Sequence, residues 1–219
     1  MSEEGNSVGL RLNDLLSEAG LEKIDPALTA QFELYFSLLL RWNKHLNLTA
    51  IRDEERILSR HFVESISCAH ALPERIATLL DFGSGAGFPG LPIALCRSDI
   101  AVTLAESQSK KSAFLLEAVR VLGIEAKVHA GRAEELQLQF DCVTLRAVDK
   151  MDEAVKTATG LVCPGGWLAL MITDSQAETL KTIAGTEFCW AESIRMAGGG
   201  ERLLALGERR IAGMDSWPA

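Results

Sequence analysis

Hydrophobic and polar positions follow two different rhythms along the 219 residues of this chain. Up to about residue 72, apolar positions recur every three or four residues. In ALTAQFELYFSLLLRW, Leu28, Phe32, Tyr35, Phe36, Leu39 and Leu40 fall on one face of a helix. Leu12, Leu15, Leu16 and Ala19 repeat the pattern upstream, and a third helix is predicted from about Asp53 to Ala71, stopped by Pro73. Beyond that point short apolar runs alternate with helical stretches. ATLLDF precedes a helix around GLPIALC, AVTLAES precedes KKSAFLLEAVRVLG, and EAKVHAG precedes a short acidic stretch. FDCVTLRAV then leads into MDEAVKTATGLV and the strand GWLALMI. Such alternation implies an α/β fold, a mainly parallel sheet with helices on both faces. The tail FCWAESIRMAGGGERLLALGER reads as two strands around a Gly-rich turn, antiparallel at the sheet edge. The chain is therefore expected to divide into an N-terminal helical cap, residues 1–73, and a Rossmann-like domain, residues 74–219.

Composition changes this picture little. Hydrophobic content of 47% and charged content of 24% suit a globular protein, and no apolar stretch reaches bilayer length, so no membrane role is expected. The acidic start MSEEGNSVGL lacks a signal pattern, and the five cysteines form no CxxC pair. A reducing cytoplasm is the expected setting, with neither a metal site nor a disulfide framework. The net charge of −8 argues against indiscriminate nucleic-acid binding, but leaves room for a local basic patch.

The chemistry concentrates in LLDFGSGAGFPG, residues 79–90, between a strand and a helix. Ligands of doubly wound sheets bind at the carboxyl ends of the strands, where this loop lies. A Walker A loop would need a lysine followed by serine or threonine, and none follows. A dinucleotide fingerprint can be spelled through Gly85, Gly87 and Gly90. The third reading starts at the strand end, Asp81-x-Gly83-x-Gly85-x-Gly87, the pattern of class I S-adenosylmethionine (AdoMet) methyltransferases. AdoMet carries an ammonium and a sulfonium and no phosphate, so an acid beside the loop suits it, whereas a pyrophosphate would be repelled. Glu106 ends the next strand, where a carboxylate can accept ribose hydroxyls of either cofactor. A purely structural glycine turn with a capping acid is the bland alternative.

The sequence resembles the RsmG (GidB) family from about Leu12 to Arg210. The resemblance is carried by LLRWNKHLNLTAIRD, RHFVESI, LLDFGSGAGFPGLPIAL, GRAEEL, TLRAV and GGGERLLAL, of which WNKHLNLT is particular to the family. It implies a class I methyltransferase fold, AdoMet as cofactor, and methyl transfer to N7 of a guanine in bacterial 16S rRNA, position 527. Naked rRNA or the 30S particle is the implied partner. It further implies cofactor contacts at Gly83 and Phe88, at Ala133 and Glu134, and at Arg146, beside Gly85 and Glu106 already singled out. One departure is Glu106-Ser107, where an aspartate-serine pair is commoner.

Several of these residues allow two readings. Phe88 could pack on the cofactor or belong to the core. Arg146 follows an apolar strand and needs a partner: a cofactor carboxylate, an RNA phosphate, or a structural pair with Asp141 or Asp149. TLRA replaces the (D/N)PPY segment of enzymes that methylate exocyclic amines, and Cys163 in CPGGW reads as a turn residue rather than a nucleophile. Guanine N7 needs neither device and no catalytic base, because its lone pair carries no proton. Arg52, Arg56 and Arg60 are spaced as one helical stripe, with Arg41, Lys44 and His45 before it and Lys110 and Lys111 opening the helix beside Glu106. Arg56, Arg60, Lys110 and Lys111 are the expected RNA contacts. The alternative is a solvated face paired with Glu55 and Glu64. Trp42, Asn43 and Asn47 are expected to lock the cap onto the sheet, and His61 and His129 to be structural or contact residues. Three rival functions share much of this pattern: a small-molecule methyltransferase, a nicotinamide enzyme, and a silent rRNA-binding assembly factor that keeps AdoMet.

Overall fold

The computed structural model describes residues 7–197 and 201–211. Helix α1 (Val8–Glu18) starts where Ser7 Oγ accepts from Leu10 N. Helix α2 (Pro26–Leu46) starts on Asp25, which accepts from Ala27 N and Leu28 N, with proline in its first turn. It ends at Asn47, in the left-handed conformation that stops helices. The third expected helix comes in three pieces: α3 (Glu54–Ile57), a π turn (Leu58–Val63) and α4 (Glu64–Ala71).

Five parallel strands follow, with β1 (Thr78–Phe82), β2 (Ala101–Ala105), β3 (Lys127–His129), β4 (Phe140–Arg146) and β5 (Val162–Thr173). Helices α5 (Gly90–Cys96), α6 (Ser109–Leu122) and α7 (Met151–Gly160) connect them, and a 3-10 turn (Ala133–Leu136) follows β3. The tail holds α8 (Asp174–Ala184), β6 (Phe188–Trp190), β7 (Ile194–Arg195) and β8 (Arg202–Arg209). The strand order is β3-β2-β1-β4-β5-β8-β6, with β7 beside β8. Among the described residues the tail thus contains three strands, not two. Strand β8 is antiparallel to both β5 and β6, so the antiparallel strand lies one place in from the edge expected for it. The glycines 198–200 of the expected turn lie outside the described residues.

Side chains alternate across the sheet as the pleat demands. Ala169, Met171, Leu204 and Leu206 enter one apolar cluster, while Leu168, Leu170, Leu203 and Ala205 enter the other. The first cluster also takes in Leu12, Leu16, Phe32, Tyr35, Phe36, Leu39 and Phe62. The N-terminal helices therefore share one core with a face of the sheet. Trp42 reinforces the joint: its Nε1 donates to Glu117 Oε2 at 2.9 Å, and its ring meets Phe114 edge-on. Asn43 Oδ1 accepts from Thr49 N at 3.0 Å, which fixes the turn leaving α2.

Candidate active site

A cleft of about 560 Å³ opens at the carboxyl ends of β1, β2 and β4, where the strand order reverses. Its floor is the glycine loop. Asp81, the loop's first acid, does not face this cleft. It is buried behind the loop, where Oδ2 accepts from Gly90 N at 3.1 Å and Oδ1 from Thr144 Oγ1 at 2.9 Å. Burial pushes its carboxyl up to about 6, against the pull of those hydrogen bonds. Asp81 thus ties β1 to α5 and β4, and the role of a cleft acid passes to Glu106. Gly90 serves the same joint, because a Cβ there would stand 2.3 Å from Leu104 Cδ2 and 2.6 Å from Asp81 Oδ2.

Glu106 answers the phosphate question raised by the glycines. Its Oε2 accepts from Gly85 N at 2.9 Å and its Oε1 from Gln108 N at 2.8 Å. The loop amide at Gly85 is therefore already held by a carboxylate, and this floor repels a pyrophosphate while suiting a cation. Gly85 has φ 58°, and a Cβ built on it would meet only Gly83 O, at 3.8 Å. Above Gly85 is space that a side chain would fill, a cradle for a ligand approaching the backbone.

Phe88 belongs to the core and to the cleft wall at once. It is buried, stacked against Tyr35 at 5.1 Å and His61 at 4.9 Å, yet it lines the cleft. Tyr35 Oη donates to Ala86 O at 2.6 Å, so α2 braces the loop directly. Ala133 and Glu134 border the far side of the cleft in the 3-10 turn, Ala133 buried and Glu134 exposed. His129 sits under this turn, its Nε2 3.0 Å from Arg132 O.

Arg146 ends β4 and is 5% exposed at its side chain. Its partner is neither Asp141 nor Asp149. Asp141 is taken by Ala77 N, Thr78 N and Thr78 Oγ1. Arg146 Nη2 instead donates to Glu64 Oε2 at 3.0 Å, to His61 Nδ1 at 2.9 Å and to the Arg60 carbonyl in the π turn. Its Nε is buried with no partner among the described residues. Burial lowers the guanidinium to about 10, and Glu64 opposes that shift.

Glu64 gathers three arginines. Arg60 Nε lies at 3.2 Å, Arg146 Nη2 at 3.0 Å and Arg202 Nη1 at 3.9 Å. Burial raises its carboxyl above the ordinary range, and the guanidiniums pull the other way. His61 completes the cluster. Arginine can only donate, so Nδ1 accepts and the ring proton belongs on Nε2, 2.8 Å from Thr49 Oγ1. Burial, then the charges of Arg146, Arg202 and Arg60, lower His61 to about 3, so it stays neutral.

The expected basic stripe is not one stripe. Arg52 precedes α3 and donates to Asn47 Oδ1 at 2.7 Å. The π turn carries Arg60 toward buried Glu64, while Arg56 stays exposed. Lys111 lines the cleft and Lys110 is exposed beside it at the start of α6. Cys163, expected in a turn, is the second residue of β5, at the end of the sheet remote from the cleft. The sequence offers Glu64 as a partner for the arginine stripe, and Arg60 does reach it, but Glu64 as the partner of Arg146, and Thr49 and Arg202 in the same cluster, were missed. The one available signal was an acid, Glu64, set among the buried Phe62, Val63, Ser65 and Ile66.

The parallel sheet, the D-x-G-x-G-x-G loop at its switch point and the acid closing β2 define a class I AdoMet-dependent methyltransferase. The buried Arg146 Nε and the open cradle at Gly85 fit such a cofactor, as does the acid floor. The chain belongs to the family described as rRNA small subunit methyltransferase G, whose model matches residues 28–202. A ribosomal RNA small subunit methyltransferase G of Neisseria meningitidis serogroup A is 41% identical over 152 residues, 68% of this chain and 73% of that one. The corresponding protein of Xanthomonas euvesicatoria is 39% identical over 159 residues, 70% of this chain and 74% of that one. Among solved structures, M. jannaschii TYW2 in complex with AdoMet superposes with a TM-score of 0.54 at 14% identity, covering 68% of this chain and 76% of that one. At that identity the likeness is one of fold.

Proposed function

We propose that this chain transfers the methyl group of AdoMet to N7 of a guanine in 16S rRNA, as its membership of the small subunit methyltransferase G family supports. The bound cofactor supplies an electrophilic methyl on a sulfonium. The chain's own residues bind, align and exclude water. Gly83 and Gly85 let the ligand approach the backbone, Glu106 takes the ribose hydroxyls, and Ala133 and Glu134 frame the adenine. Phe88 packs against the cofactor's apolar parts, and Arg146 Nε is the donor available for the methionine carboxylate.

The observation that carries this reading is the state of His61. It lies in the cleft, is held neutral, and has both ring nitrogens committed. It neither takes nor gives a proton, as suits an acceptor with an unprotonated lone pair. Alignment and electrostatic fit then supply the rate. Arg56, Lys110 and Lys111 are the proposed RNA contacts on the rim, and the 30S particle or its rRNA is the partner, which places the enzyme in the cytoplasm. Among the described residues no helix is long and apolar enough to cross a membrane, and no cluster of acids, histidines and cysteines suits a metal.

The test is transfer of labelled methyl from AdoMet to 30S particles, naked 16S rRNA and free nucleosides, followed by strand scission at N7-methylated guanine. Label in one guanine of the RNA is expected. Label only in nucleosides would make this a small-molecule enzyme, and none in any would favour the silent assembly factor.

A further inference from the structure

Beside the cofactor cleft lies a second cavity of about 210 Å³, at the carboxyl ends of β4 and β5 and the start of α8. It shares Ala147, Val148 and Arg202 with the cleft, so the two open along a common wall. Ala147 holds φ 50°, a left-handed backbone that a non-glycine residue adopts only where its surroundings enforce it. That turn lets the chain pass between the two spaces.

The cavity is lined by apolar and polar atoms alike. Met151, Met171 and Ile172 give walls against which a flat ring can lie. Gln176 Oε1 already accepts from Thr173 N and Oγ1, both at 3.1 Å, which leaves its carboxamide donors. Arg202 Nε is buried without a partner among the described residues, while Glu64 holds the same guanidinium from behind at 3.9 Å. The side-chain groups left uncommitted around this cavity are donors.

Both purines offer N7, so N7 alone cannot select guanine. Their neighbouring groups differ: guanine presents acceptors at N7 and O6, whereas adenine presents an amino donor at position 6. We infer that this cavity seats the acceptor guanine, and that Arg202 donates to its O6 and so selects guanine over adenine. The inference rests on the guanine-N7 reading above. A donor on O6 leaves the N7 lone pair free toward the cofactor cleft. An adenine turned into the same slot would set its amino group against the half-buried Arg202 donor and leave both unpaired, an arrangement that sites reject strongly.

The test uses 30S particles rebuilt with guanine, inosine or 2-aminopurine at the target position, and reads kcat/KM for methyl transfer. Inosine keeps N7 and O6 and lacks the 2-amino group; 2-aminopurine keeps N7 and the amino group and lacks O6. Wild-type enzyme is expected to accept inosine within a few-fold of guanine and to lose about 10- to 100-fold on 2-aminopurine, the range of one hydrogen bond from a charged donor. In Arg202→Met the guanine:2-aminopurine ratio is expected to collapse toward one, and Arg202→Lys to keep part of it. A purely structural or phosphate-binding role for Arg202 would slow both substrates alike and leave the ratio at its wild-type value, which overturns the inference. Equal use of guanine and 2-aminopurine by the wild type overturns it without any variant. If wild-type enzyme methylates no guanine-containing particle, the guanine-N7 reading itself fails, and the ratio experiment separates that case from the others.

Discussion

Arg146 and Glu64 stand 3.0 Å apart beneath the cleft, one ending a central strand and the other beginning a helix of the N-terminal segment. Both are nearly sealed from solvent, at 5% and 1% exposure of their side chains. Glu64→Leu leaves the Arg146 guanidinium buried with its counter-charge gone. We expect a loss of about 3–5 kcal/mol, or roughly 6–20 °C in Tm. Glu64→Leu combined with Arg146→Met should cost much less than the two single changes added together. Thermal melts of the four proteins check this, and additive losses would mean that the pair is not coupled.

Asp81 makes stability depend on pH in a definite direction. Its folded carboxyl lies near 6, above the ordinary 3.8, so the native state holds a proton that the unfolded chain releases. The contribution is complete below about pH 4 and is lost as pH rises through about 6, amounting to about 2–3 kcal/mol. Asp81→Asn keeps an acceptor for Gly90 N and removes this titration. Denaturant midpoints across pH 4 to 7 should flatten in the variant relative to wild type; an identical slope would assign the drop to another group.

Gly85 and Gly123 share a left-handed backbone, φ 58° and 64°, and differ in what surrounds them. Alanine at either position should cost about 1–2 kcal/mol for its strained φ. Only Gly85→Ala places a methyl group in the cleft, so it alone should weaken AdoMet binding, by at least tenfold. Calorimetric titration of both variants checks this, and equal affinities would take Gly85 out of the cofactor site.

His61 should leave no mark on the pH profile. Held near 3 by burial and three arginines, it does not titrate where the enzyme works. Single-turnover methylation at saturating substrates is expected to stay level from about pH 6.5 to 8.5. His61→Ala should lower the rate, through its contacts with Arg146 and Phe88, and leave that profile level. His45→Ala and Cys163→Ala should change neither. A tenfold limb that disappears in any of the three variants would reveal a base and a different acceptor atom.

The rim charges are open to a salt test. Arg56→Gln with Lys110→Gln should shallow the dependence of RNA affinity on log salt by roughly 1.5, near 0.7–0.9 for each lost phosphate contact. AdoMet affinity should be unchanged. Filter binding of a 16S rRNA fragment over a salt series gives the slope, and an unaltered slope would return both residues to solvent.

Fold class and cofactor loop could be read from the sequence because both are local. Strands such as TLLDF announce themselves by short apolar runs, and the glycines and Asp81 fall within one turn of chain. The position of β8 inside β6 was hidden, since pairing order depends on partners distant along the chain. Helix α8 was missed because DSQAETLKTIA buries only Ala177, Leu180 and Ala184, too sparse a stripe to show against its polar residues. The spacing of Arg52, Arg56 and Arg60 suits an unbroken α-helix, but Arg52 lies before the helix begins and the π turn intervenes between Arg56 and Arg60. Glu64 and Arg146 are 82 positions apart, so nothing local could match the arginine to its acid.

The π turn at Leu58–Val63 also bears on how this protein could be made sturdier. A single wide turn of this kind is less favourable than a regular helix and concentrates at functional sites. Removing one residue would restore a regular ladder through the third helix, and a search for thermostability would be drawn to that change. It would rotate Arg60 and the segment before it about the axis relative to Glu64, and withdraw the carbonyl on which Arg146 rests. This helix is therefore where robustness and activity diverge: variants selected for heat resistance here should be those that lose the reaction first.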